Sequence, residues 1–134
     1  MANLSVILFE SIAPPQLGSP LYVFPMNSAE AKGCGYYGNS NGLHTVEYST
    51  SNGFNGKIKM QATLATKPTE ADWFDVVGTT LGDGINPVNP PIVSYNFTGN
   101  FVWVRAVIVG WGNRPPNPTP LLLGSINRVL FTHN

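Results

Sequence analysis

The stretch "GKIKMQATLATKPTEADWFDV", Gly56 to Val76, decides the fold. In its first half Ile58, Met60, Ala62 and Leu64 share one parity, and Lys57, Lys59, Gln61 and Thr63 share the other. Successive side chains of a strand point to opposite faces. The pattern therefore predicts a strand with its apolar set on a core and its lysines in water. The second half places Glu70, Asp72 and Asp75 around Trp73. Carboxylates beside an aromatic form either an acid–base site or a turn, and the local chemistry favours the turn. Pro68 ends the strand, Thr69 caps a short helical turn, and Asp72 reaches back in place of the Glu or Gln of a capping box. Glu70 and Asp72 then sit at the positive end of that turn. Trp73 and Phe74 are expected to re-enter the sandwich, which leaves only Asp75 free, on the outward parity of the next strand. A glycosidase would need two carboxylates with pKa values pushed apart. A turn open to water does little of that.

Outward from this stretch, the chain has no run of helical periodicity. Its 14 glycines and 12 prolines punctuate short apolar or alternating segments, which is an all-β signature. The segments are Leu4–Glu10, Leu21–Phe24, His44–Thr50, Gly56–Ala65, Trp73–Val77, Val93–Gly99, Phe101–Gly110 and Ile126–His133. About eight strands in one domain predict a two-sheet antiparallel β-sandwich of jelly-roll type. The 134 residues form a single domain, with residues 1–20 as an N-terminal arm or an edge strand. Asn52-Gly53 predicts a hairpin between the His44 and Gly56 strands, and Gly99-Asn100 a second tight turn. "FVWVRAVIV", Phe101 to Val109, is apolar on both parities, so it is central and covered on both sides. Arg105 within it then needs a carboxylate or carbonyl partner, because an unpaired buried charge is costly. Gly82–Pro91 and Trp111–Pro120 are proline-rich, stiff loops.

Seven basic and seven acidic residues leave no net charge. Nucleic acid needs clustered Lys or Arg, so that partner is not expected. No apolar run approaches the ~20 residues of a membrane span, and no signal peptide is expected. Charged residues are only 10% of the chain, against about 25% in an ordinary domain. Weakly charged, neutral surfaces associate, which predicts a surface covered by partners, further copies of the chain among them. Cys34 is the sole cysteine, so no internal disulfide forms. It reads as a small buried thiol, in keeping with assembly in a reducing cytoplasm. His44 and His133 sit in no metal or catalytic spacing and read as polar strand-end residues. Calcium, zinc, nucleotide and hydrolase motifs are absent, so no cofactor, metal or catalytic residue is assigned.

The order of the Asn52-Gly53 turn, "GKIKMQATLA", "KPTEADWFDV", "YNFTGNFVWVRAVI" and the closing "GSINRVLFTH" resembles a β-sandwich module of virion proteins in tailed bacteriophages, marine and cyanobacterial ones included. The resemblance spans roughly Val46 to His133. It implies a structural or accessory protein of the particle, either a capsid decoration or a tail, baseplate or fibre component. The partners would be other virion proteins, and the location the virion, assembled in the host cytoplasm. At fold level the strands also resemble discoidin-like and other carbohydrate-binding sandwiches. The alternative function is therefore a glycan-binding module for host-surface attachment. Trp111, Asn113 and Arg114 in "VGWGNRPP" are the candidate interface or glycan contacts, because Trp and Arg recur at binding hot spots.

Overall fold

The structure is a computed structural model that describes residues 4–12, 25–38, 42–51, 53–83, 87–111 and 124–133. Among the described residues nine strands follow in chain order: β1 Leu4–Ile12, β2 Met26–Asn27, β3 Ala31–Lys32, β4 Leu43–Ser51, β5 Gly56–Thr63, β6 Phe74–Asp75, β7 Ile92–Thr98, β8 Trp103–Trp111 and β9 Ser125–His133. They form two antiparallel sheets. The four-stranded sheet has the order β1-β9-β4-β7; the five-stranded sheet has the order β2-β8-β5-β6, with β3 also on β8. The β-sandwich expected from the sequence is what the chain builds. The strand expected at Leu21–Phe24 lies outside the described residues.

The core lies between the sheets. Val46 and Tyr48 of β4, Phe97 of β7, and Ile126, Val129 and Phe131 of β9 face Ile58, Met60 and Ala62 of β5 and Val104, Ala106 and Ile108 of β8. The alternation read from the sequence therefore sets the register of β5 as expected for Ile58, Met60 and Ala62. Leu64 departs from it and is 63% exposed. Thr63 is buried instead, and its Oγ1 accepts the Ala65 N–H at 3.1 Å. That side-chain turn ends the pleat one residue before Leu64 could use it.

Neither expected tight turn is a hairpin. β4 and β5 belong to different sheets, and so do β7 and β8. Gly53 does take the left-handed conformation, φ +70°, but it carries the chain across the end of the sandwich. Each of the two alternating strands has one apolar face, and stacking the sheets covers both faces at once. Phe54 drops fully buried into that crossing, and its carbonyl accepts the Val88 N–H at 2.8 Å. Val76 and Leu81 join the same core.

β2 and β3 lie along one side of β8 as an interrupted edge. Between them the Ser28 N–H donates to the Ala106 carbonyl, and Ser28 Oγ accepts the Ala106 N–H, both at 2.9 Å. A side-chain oxygen thus replaces the missing backbone acceptor. β1 is the outer strand of the four-stranded sheet, paired with β9 and bulged between Ile7 and Phe9.

Candidate functional site

The carboxylates after β5 have structural partners. Glu70–Asp72 forms one 3₁₀ turn, and the Thr69 N–H donates to Asp72 Oδ2 at 2.7 Å, as the capping box predicts. Glu70 leaves that turn to meet Arg105. Its two oxygens accept from Arg105 Nη1 at 3.2 Å and Nη2 at 3.1 Å. Arg105 is only 7% exposed although it sits on the outer face of β8. The expected carboxylate partner is thus Glu70, with Gln61 as a second: Gln61 Oε1 accepts from Arg105 Nε at 3.0 Å and Nη2 at 2.8 Å. The Trp73 ring covers the guanidinium, 4.3 Å from centroid to Cζ, close enough for cation–π attraction.

Two expectations about this turn need correction. Trp73 does not re-enter the core; it lies over the outer face, where Arg105 holds it. Phe74 is exposed, because β6 is an edge of two residues and the chain enters the core only at Val76. Nor is Asp75 free. It stands opposite Gln61 across β5 and β6, accepts from Gln61 Nε2 at 3.0 Å, and pairs with Lys59 Nζ at 2.8 Å. The result is one chain of contacts, Glu70–Arg105–Gln61–Asp75–Lys59, across three strands and a turn. Hydrogen bonding to Arg105 holds the Glu70 carboxyl below its ordinary value, and Lys59 with Gln61 does the same for Asp75. Both are therefore anionic through the neutral range.

Lys59, Gln61, Glu70, Trp73 and Arg105 help to wall a cleft of about 320 Å³ on the outer face of the five-stranded sheet. Its floor is Val107 and Val109 of β8; Pro25 and Asn27 stand on one side, Lys59 and Gln61 on the other, and Glu70 and Trp73 close one end. Asn27 and Lys59 both pair with Val107, one from each neighbouring strand. In the sequence, Arg105 as a charge inside a doubly apolar strand was the signal for this site. Asn27 and Pro25 carried no signal, because a two-residue strand is too short to show alternation. Of the residues predicted from sequence, Trp111 ends β8 opposite Gly56. Asn113 and Arg114 lie outside the described residues.

At one end of the sandwich His44 is fully buried, which corrects its expected place as a polar strand-end residue. It shares the inward parity of Val46 and Tyr48, and its ring stacks on Phe97 at 5.1 Å. Its Nε2 accepts the backbone N–H of Cys34 at 3.0 Å. The neighbour His44 serves is thus the Cys34 backbone; the thiol, itself buried, reaches the Leu43 carbonyl at 3.5 Å. Burial holds the His44 pKa below its ordinary 6.5. On acidification the unfolded chain takes the proton first, so the native state loses stability as pH falls through about 6.5. Urea midpoints measured across that range should fall in the parent, and fall less in His44→Gln, which keeps an acceptor but cannot titrate. Equal slopes for the two proteins would remove His44 from this account.

Among the described residues no three of His, Cys, Asp and Glu come together as a metal-ligand group, and no helix is long and apolar enough to cross a membrane. Comparison with family models, with curated proteins and with solved structures found no match.

Proposed function

We propose that this chain is a non-enzymatic component of a tailed-phage particle, a capsid decoration or a tail, baseplate or fibre accessory protein, that works by contact with other particle proteins and with copies of itself. The observation that carries the non-enzymatic part of this reading is the state of the carboxylates beside Trp73; the phage assignment rests on the sequence resemblance. Each one is committed to a structural partner, and both that stand on the sheet face are held anionic. A general acid must hold a proton near neutrality, and neither does.

The edges of the sheets support the contact reading. β6 has two residues, and the β2–β3 edge is broken at Ser28, which are ordinary ways to blunt an edge. β1 runs nine residues and leaves Val6 and Ile7, 37% and 50% exposed, on an edge strand. Low overall charge and the phage-module resemblance point the same way. The test is quantitative mass spectrometry of intact purified particles. A fixed ratio of this chain to a major particle protein is expected, and its absence from the particles would overturn the reading. Ile7→Lys should stay folded, because the site is half-exposed, and should incorporate poorly.

A second reading, attachment to a surface glycan, is favoured by the cleft on the five-stranded sheet. That cleft combines an apolar floor with amide side chains at its rim.

A further inference from the structure

We propose that the cleft over Val107 binds one ring of a neutral saccharide. The inference rests on the sugar-binding reading and moves its site from the Trp111–Arg114 loop to the sheet face. Three features of the cleft select this ligand class.

The first is charge. Arg105 is paired with Glu70 at 3.1 Å and Lys59 with Asp75 at 2.8 Å. Every formal charge at the cleft is compensated within the protein, so an anionic or cationic ligand would have to break an existing pair. A neutral ligand would not.

The second is the arrangement of polar and apolar groups. Val109 and Pro25 make an apolar strip beside Val107, which is itself buried. Asn27 and Lys59 flank Val107 in register on either side, with Gln61 two residues further along β5 on the same face. A pyranose presents the matching surface, a C–H face ringed by hydroxyls that both donate and accept. An amide such as Asn27 can answer with a donor and an acceptor, whereas a purely apolar ligand would leave it unpaired at a cost.

The third is rigidity. Arg105, though on an outer face, is buried and held by four hydrogen bonds to Gln61 and Glu70, and Trp73 is fixed over it. The wall is formed before any ligand arrives, which reduces the ordering cost of weak binding. A volume of about 320 Å³ is at the low end of small-molecule sites, roughly 300–1,000 Å³. That suits a single ring rather than a buried oligosaccharide.

The experiment is an NMR titration of the intact chain with methyl glycosides of glucose, galactose, mannose and N-acetylglucosamine. The sodium salts of glucuronic and sialic acid form a charged arm. At least one neutral glycoside should shift the amide signals of Asn27, Lys59 and Val107. Asn27→Ala is at an exposed edge position and keeps the fold; it should weaken that binding about tenfold, the worth of one net hydrogen bond. Shifts that map to residues 111–120 and survive Asn27→Ala would overturn the cleft while leaving sugar binding in place. Binding of the charged sugars alone would overturn the neutral-ligand assignment. No shift with any probe would overturn both the cleft and the sugar-binding reading.

Discussion

Phe54→Ala should destabilise the protein by about 3–5 kcal/mol in a urea titration, the usual cost of removing a fully buried aromatic ring. The ring fills the end of the sandwich where the chain leaves β4 and enters β5 in the opposite sheet. Ser51 and Gly56 are anchored in different sheets, so their backbone leaves little freedom to collapse into the void. Phe54→Leu should cost roughly 1 kcal/mol, because it keeps most of the volume. If Phe54→Ala costs less than about 1 kcal/mol, the crossing is not packed as described, and a hairpin between β4 and β5 becomes the better description.

Gly124→Ala should be nearly as severe, on the order of 3 kcal/mol. Two effects add. Gly124 has φ +65°, the left-handed region where a side chain is strained. A Cβ there would also press on the backbone N of Phe54 and stand 2.6 Å from the Ser51 carbonyl oxygen. Both obstacles are backbone, so neither can rotate away. The substitution therefore tests the same crossing from its other side. Thermal unfolding of Gly124→Ala should show a clearly lowered midpoint. A loss below about 0.5 kcal/mol would mean that β9 does not enter the sheet against Phe54.

The strands were legible because alternation is a local property. Lys57 to Ala62 and His44 to Thr50 declare which side chains face inward without reference to anything distant. Read through its parity alone, His44 would have been placed in the core beside Val46 and Tyr48. The partner of each strand was not legible in the same way. Asn52-Gly53 supplies a positive φ at Gly53, and that angle serves a crossing between sheets as well as a hairpin. Only the pairing of β4 with β7 and β9 decides between them.

The candidate site divides along the same line. Arg105 announced the need for a partner, because a charge in a doubly apolar strand must be compensated. That the partner is Glu70, thirty-five positions earlier, follows from how the turn folds over the sheet. The capping box was legible because Thr69 and Asp72 are neighbours in sequence. The Lys59–Asp75 pair was not, because it depends on the register of β5 against β6.

The central claim is that the carboxylates around Trp73 hold the sheet face together and do not work as an acid–base pair. Its most direct measurement is a carboxyl ¹³C NMR titration of Glu70 and Asp75 in the folded protein. Both groups should titrate below their ordinary values of 4.5 and 3.8. By linkage, the stability each contributes is present above those values and is lost as pH falls through the lowered ones. Glu70→Gln should leave Asp75 low, since Lys59 and Gln61 still hold it. A Glu70 or Asp75 that titrates above its ordinary value would mark a proton donor poised for catalysis and would contradict the account.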